Sequence, residues 1–305
     1  MERERERYRR MRAVLRTVVQ MRQHHSNPRC THSDSTILLV ALWAALRNKP
    51  ISWATIPGNW PGDLRPRAPA PGQAALPSQS CMSRRLRLDE RVLDLLVDWQ
   101  AALRRQLSDS DVKLIDGRGL VIGGCSKDRD AGFGYTAGTK AKGYKLHWII
   151  DAFSGAVDGW VLTAMNLHEA QAAQCLIPHL APHTRYVLLD SNYDHNKLYE
   201  QAGVEHNGVQ WMAMPRRSAK GVGHHQHSDW RLAVQPWLRS RQGRRTMKRA
   251  RVMIEQVNGR VGCSEVGLNH LPYHARRLHR VTMWVALKIL ILTDLQSRSV
   301  LRACA

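Results

Sequence analysis

Val-Lys-Leu-Ile-Asp-Gly, residues 112–117, and Tyr-Val-Leu-Leu-Asp, residues 186–190, decide how this chain is read. Each is a short apolar run closing on an aspartate, which predicts a buried strand with Asp116 or Asp190 at its tip. A third acid, Glu255, falls inside a strongly basic helical pattern from Met247 to Val261. There Met247, Ala250, Ile254, Val257 and Val261 recur at helical steps and predict one buried stripe. Arg251, Glu255 and Asn258 form the neighbouring stripe, so Glu255 is expected at the edge of the packed face, within reach of the strand tips.

Working outward, Val112–Ile122, Tyr144–Asp151 and Trp160–Met165 read as three strands joined by turns. His168–Leu180 reads as a helix, Tyr186–Asp190 as a fourth strand, Asn196–Ala202 as a short helix and Val209–Met214 as a fifth strand. The glycines at 132, 134 and 138 suit a hairpin better than a dinucleotide loop. This order predicts an α/β, ribonuclease-H-like mixed five-stranded sheet flanked by helices. Upstream, Arg9–Gln23 and Ile37–Leu46 read as helices, residues 57–77 as a Pro/Gly connector, and one long amphipathic helix runs from a cap at Ser78 or Ser80 to Leu103. Residues 216–246 show no clear period. A terminal apolar helix covers Val281–Leu295. The expected division is a helical N-terminal DNA-binding region at 1–108, a catalytic region at 109–297 with a basic insertion at 216–246, and a tail at 298–305.

The chain has 46 Lys+Arg against 25 Asp+Glu, a net of +21, which favours a polyanion as partner. Residues 1–110 carry 19 basic and 10 acidic side chains, residues 111–215 carry 9 and 11, and residues 216–305 carry 18 and 4. The segment holding both aspartates is therefore nearly neutral between two basic arms, an arrangement suited to a catalytic core with DNA-gripping flanks. Arg84, Arg85 and Arg87 open a helix that could lie on DNA; Arg216, Arg217, Arg244, Arg245, Lys248 and Arg251 are the corresponding candidates in the second arm. Six cysteines without a Cys-x-x-Cys pair give no disulfide framework or zinc site and fit a reducing cytosol. His224, His225 and His227 lack accompanying ligands and read as loop residues. His147 and His168 read as structural histidines. The longest apolar runs, Ile37–Leu46 and Met283–Leu292, fall short of the roughly 20 residues a membrane helix requires. A soluble protein of the cytoplasm, working at the nucleoid, is expected.

Taken singly, each aspartate could simply begin a turn, and Glu255 could simply pair with Arg251 on the surface. Taken together, three clustered carboxylates would repel one another, and divalent cations held by oxygen ligands relieve that repulsion. Two such ions about 3.5–4 Å apart can activate a nucleophile and stabilise the leaving oxygen of a phosphodiester.

Several segments carry a family likeness: 112–117, Lys-Gly-Tyr-Lys-Leu-His (142–147), Asn-Leu-His-Glu-Ala (166–170), Leu-Leu-Asp-Ser-Asn-Tyr-Asp (188–194) and Arg-Val-Met-Ile-Glu-Gln-Val-Asn-Gly-Arg (251–260). With Leu-Trp-Ala-Ala-Leu-Arg (42–47), Pro-Ser-Gln-Ser (77–80) and Met-Ser-Arg-Arg-Leu (82–86), the chain resembles DDE-type transposases of bacterial insertion sequences over nearly its whole length. The resemblance implies Asp116, Asp190 and Glu255 as the triad and two Mg2+ or Mn2+ ions. It also implies Arg251 one turn before the glutamate, transposon terminal inverted repeats and target DNA as partners, and a homodimer in the synaptic complex. Within 190–194, Asp194 is the rival to Asp190. The chain departs from the family pattern Tyr-x-x-Arg-x-x-x-Glu followed by lysine, with Lys248 at the tyrosine and Gly262 at the lysine. Two other readings stand beside it: an inactive DNA-binding derivative, and a structure-selective nuclease of the same fold.

Overall fold

A computed structural model describes residues 2–136, 138–206, 208–215 and 227–303. The chain divides into two units, one of residues 1–107 with 263–305, the other of 108–262.

The first unit begins with α1 (Glu2–Met21), which buries Arg7, Tyr8, Met11, Leu15 and Val18 along one stripe. In α2 (Asp34–Leu46) the pattern is apolar all round and buried almost throughout, as a central helix must be; Ser33 Oγ caps it by accepting from Thr36 N at 3.2 Å. After the short α3 (Ile51–Ala54) come α4 (Gln79–Leu88), capped by Ser78, and α5 (Glu90–Arg104). These replace the single helix expected from Ser78 or Ser80 to Leu103. Met82 and Leu86 belong to one stripe, Val92, Leu96, Trp99 and Leu103 to another; the six-residue step from 86 to 92 puts them out of phase on a continuous helix. A break at Asp89, with φ −95 and ψ 99, lets both stripes face inward.

The second unit is built on β1 (Val112–Val121), β2 (Gly132–Thr136), β3 (Thr139–Asp151), β4 (Val157–Ala164), β5 (Tyr186–Leu189) and β6 (Gln210–Ala213). Strands β2 and β4 both pair antiparallel with β3; β3 pairs antiparallel with β1, and β1, β5 and β6 are mutually parallel in that order. Among the described residues the sheet thus has six strands, one more than expected. The added strand is β2, half of the hairpin that the glycines at 132, 134 and 138 suggested. The short parallel strands β5 and β6 are buried in three of four positions, the continuous apolar reading typical of parallel pairing.

Helix α6 (Glu169–Leu176) packs on β3 and β4, α7 (Asn196–Glu205) and α8 (Asp229–Arg239) on β6, and α9 (Arg241–Gly262) on β1 and β5. Both α8 and the start of α9 lie where no period was legible, because Pro236 and the arginines interrupt the Val234–Leu238 stripe. Gly243 is buried where α9 passes α8: a Cβ there would lie 2.0 Å from Trp237 O. This mixed sheet covered by helices is a ribonuclease-H-like α/β fold.

The last helix, α10 (Leu278–Ala303), groups with the first unit and not with 109–262 as the expected boundary at 297 had it. It is apolar on most of its surface and packs among α2, α4 and α5. Its Lys288 is buried, donating to Ala45 O at 2.7 Å and Asn48 Oδ1 at 2.5 Å. Among the described residues no helix is long and apolar enough to cross a membrane.

Candidate active site

The parallel pairing of β1 with β5 aligns Ile115 with Leu189, so the residues that follow, Asp116 and Asp190, leave adjacent strands side by side. Asp116 lies inside β1, which runs on to Val121, and not at the strand tip expected of it. Asp190 does end its strand. It caps the short turn Ser191–Tyr193, its Oδ1 accepting from Asn192 N at 2.8 Å. From α9, Asn258 Nδ2 donates to Asp116 Oδ2 at 3.2 Å, and Arg118 Nη1 donates to Asn258 O at 2.5 Å. That clip ties the helix to β1.

A third acid, Glu169, acts on both aspartates by like-charge repulsion. Burial raises the Asp190 carboxyl to about 6, with the carboxylates of Glu169 and Asp116 adding to the rise. The residue keeps a solvent-exposed side, so water moderates this field. Burial also raises Asp116, against hydrogen bonds from Gly117 and Asn258, and Glu169 pushes the same way. Tyr193, completely buried, is lifted well above the phenol range by burial and then by Glu169, Asp116 and Asp190. His147 is lowered to about 3 by burial and by Lys145. The absence of a Cβ at Gly117 explains how so many groups fit: a Cβ there would lie 2.9 Å from Lys145 Cε, 3.1 Å from His147 Nδ1 and 3.3 Å from Tyr193 Oη.

Glu255 stands apart from this cluster. It is 67% exposed and its Oε1 meets Arg251 Nε at 3.4 Å, with Arg251 80% exposed. Of the stripe Arg251, Glu255 and Asn258, only Asn258 meets Asp116, one turn from the glutamate. Asp194 is engaged elsewhere: Arg231 grips it with Nε at 3.0 Å and Nη2 at 2.8 Å, and Tyr199 Oη donates to it at 3.2 Å. The histidines divide. His168 caps α6 by accepting from Ala170 N, as a structural residue should, whereas buried His147 bonds Thr163 through Nε2 but has no partner at Nδ1.

Among the described residues, the three acids whose oxygens already lie close enough to share one cation are Asp109, Asp151 and Asp158, not Asp116, Asp190 and Glu169. Lys113 Nζ already stands among the three, at 2.5, 3.1 and 2.8 Å respectively. An ammonium filling the centre leaves no vacancy for an ion, so this group is a structural charge cluster.

The DNA-contact candidates also sort by burial. Arg84 and Arg87 are exposed on α4. Arg85 is not: it is buried, bonded to Asp34, to Asp89 Oδ2 at 2.5 Å and to His32 O at 3.0 Å. Its side chain is only 5% exposed and tied to protein groups at all three nitrogens, against the expectation of a DNA contact. Arg244, Arg245, Lys248 and Arg251 are exposed along α9; Arg216, Arg217, His224 and His225 lie outside the described residues. Sequence reasoning did not single out Glu169, Lys145, Tyr193 or Asn258 as site residues. Their only signal was membership of the segments 142–147, 166–170, 188–194 and 251–260, with no spacing rule to connect them.

Two adjacent carboxylates with elevated proton affinity, beside an ammonium and facing solvent on one side, form an oxygen-donor set that fits a hard divalent cation. The family model described as Transposase DDE domain matches residues 107–293, more than half of the chain. Comparison with curated proteins returns no match, and comparison with solved structures returns none. With the ribonuclease-H-like sheet and the Asp116–Asp190 pair in place, the family match is decisive: the chain belongs to the transposase DDE domain family.

Proposed function

We propose that the protein is a DNA transposase that cuts the ends of a mobile element and joins them to target DNA. The observation that carries the reading is the β1–β5 pairing, which sets Asp116 beside Asp190. In this reading Asp116 and Asp190 would hold two Mg2+ or Mn2+ ions, and Glu255 would be the third carboxylate, supplied by α9. Such ions, when bound, lower the pKa of a coordinated water and neutralise charge on the phosphodiester. The chain's own residues do the remaining work. Asn258 and the Gly117 amide orient the Asp116 carboxylate, and Asn192 orients Asp190. The exposed Arg244, Arg245, Lys248 and Arg251, with Arg216 and Arg217, hold phosphates along α9 and the adjoining segment.

Water attacks the phosphorus at the element end in line with the departing 3′-oxygen, which leaves as a hydroxyl. That 3′-hydroxyl then attacks a target phosphodiester, forming one P–O bond as another breaks. Arg84 and Arg87 of the first unit, exposed on α4, suit the terminal repeats. Bringing two ends together calls for a homodimer on DNA, and the bacterial nucleoid is the setting this implies.

The test uses DNA flanking the gene, searched for matched inverted repeats, as substrate in a Mn2+-dependent strand-transfer assay. Wild type is expected to cleave and join; Asp116→Asn, Asp190→Asn and Glu255→Gln are expected to lose at least a hundredfold. Salt-sensitive DNA binding with no cleavage by wild type would identify an inactive DNA-binding derivative. Nicking of branched DNA without joining would identify a structure-selective nuclease.

A further inference from the structure

Glu169 opens α6 and sends its side chain back toward β3, where Lys145 Nζ pairs with Oε1. Its other oxygen, Oε2, is buried and has no hydrogen-bond partner. Two more buried polar atoms nearby also lack partners: Tyr193 Oη and His147 Nδ1, both on side chains with no exposed surface. They are aimed at the same place, since both lie within 3.3 Å of the position a Cβ on Gly117 would occupy, and Gly117 directly follows Asp116. Unsatisfied buried donors and acceptors are rare because each costs about 1–3 kcal/mol. Two at one backbone position, with the Lys145–Glu169 pair entering beside them and Asp116 next in the chain, mark a place built for a polar occupant. Lys145, whose Cε lies 2.9 Å from that Cβ position, ties Glu169 to the same neighbourhood, and the Glu169 charge raises the proton affinity of Asp116, Asp190 and Tyr193.

We propose that Glu169 is a further carboxylate of the cation site formed with Asp116 and Asp190, and that Lys145 stands in for the cation while none is bound. This rests on the reading of Asp116 and Asp190 as cation ligands. The Lys113 cluster shows the contrast. Lys113 is fully enclosed and touches all three acids, whereas Lys145 pairs with Glu169 and leaves Oε2 without a partner. With a divalent ion bound, the Glu169 carboxylate would turn from Lys145 to help hold it, and Tyr193 Oη and His147 Nδ1 would be free to meet polar groups beside it.

The test is Mn2+ binding to the full-length chain without DNA, followed by the electron paramagnetic resonance of free Mn2+. Wild type is expected to bind, Asp116→Asn to lose binding, and Glu169→Gln to bind at least tenfold more weakly. A merely structural Glu169 would also weaken binding, by leaving Lys145 unpaired beside the aspartates. The Lys145→Gln/Glu169→Gln double variant separates the two roles: a ligand keeps the double variant at least tenfold weaker than wild type, whereas a neutralising partner restores wild-type affinity and overturns the proposal. Unchanged affinity in Glu169→Gln, with Asp116→Asn still deficient, overturns it as well and leaves the aspartate pair standing. Wild-type binding indifferent to Asp116→Asn would refute the pair itself. Should Glu169→Gln melt in chelator below the assay temperature, Glu169→Asp takes its place, keeping the charge for Lys145 while withdrawing the oxygens by one methylene; the same tenfold loss is expected.

Discussion

Replacing Lys113 with methionine removes the only ammonium among three carboxylates while keeping a chain of similar length. Lys113 and Asp151 are fully buried and the Asp158 side chain is 10% exposed, so only Asp109 has ready access to water. Asp151 tolerates the loss best. Burial pushes its proton affinity up, but the amides of Ser154 and Ser110 and their hydroxyls more than offset this and hold it ionised. Asp158 then faces an ionised Asp151 without the Lys113 ammonium between them. Breaking a buried ion pair from one side costs roughly 3–5 kcal/mol, which for a unit of this size lowers the melting temperature by about 6–20 °C. Circular dichroism melts of the full chain at pH 7, in chelator and in excess Mn2+, measure it. Adding Asp158→Asn to Lys113→Met is expected to recover about half of the loss. A Lys113→Met variant within about 1 kcal/mol of wild type would refute the reasoning. So would Mn2+ stabilisation of wild type that Asp158→Asn abolishes, because the ion would then sit where the ammonium is placed.

The arginines of α4 give a second contrast. Arg84→Ala and Arg87→Ala should each weaken DNA binding and flatten its dependence on log salt by about one unit, without changing stability. Arg85→Met should instead destabilise the first unit by roughly 3–5 kcal/mol, because buried Asp34 loses its guanidinium and keeps only the His24 contact among its side-chain partners here, read by urea titration. Gly243→Ala should cost about 1–3 kcal/mol, because its Cβ meets backbone at Trp237 O and neither α8 nor α9 can give way cheaply; an unchanged melting temperature would contradict the packing. Finally, His147 and His274 stay neutral in the fold down to about pH 3 and about pH 4, both chiefly through burial. Unfolded histidine takes up its proton near 6.5, so between these limits the unfolded chain binds more protons and stability falls with pH. Asp190, raised to about 6, works in the opposite direction between 6 and 3.8. His147→Phe should therefore shallow the acid loss below pH 6, and an unaltered slope would count against a neutral buried His147.

The residues 112–117 and 186–190 declared their strands because buried strands need short apolar runs, and α2 declared itself by its length of unbroken apolar sequence. The Met247–Val261 stripe did so by its period. These are local rules of backbone geometry, legible in any window of a dozen residues, and they carried the fold class and the aspartate pair. What they could not carry is which side chains meet across long separations. Asn258 reaches Asp116 across 142 positions, and Glu169 pairs with Lys145 across 24. Glu255 and Asn258 share a helical stripe, yet only one of them contacts the aspartate. Arg84, Arg85 and Arg87 look alike in sequence, while the helix turn that buries Arg85 against Asp34 leaves its neighbours in water. The phase break at Asp89 and the docking of α10 with the N-terminal helices belong to the same class. Register and packing angle, set only when distant elements close on one another, choose among side chains that the local pattern treats as equivalent.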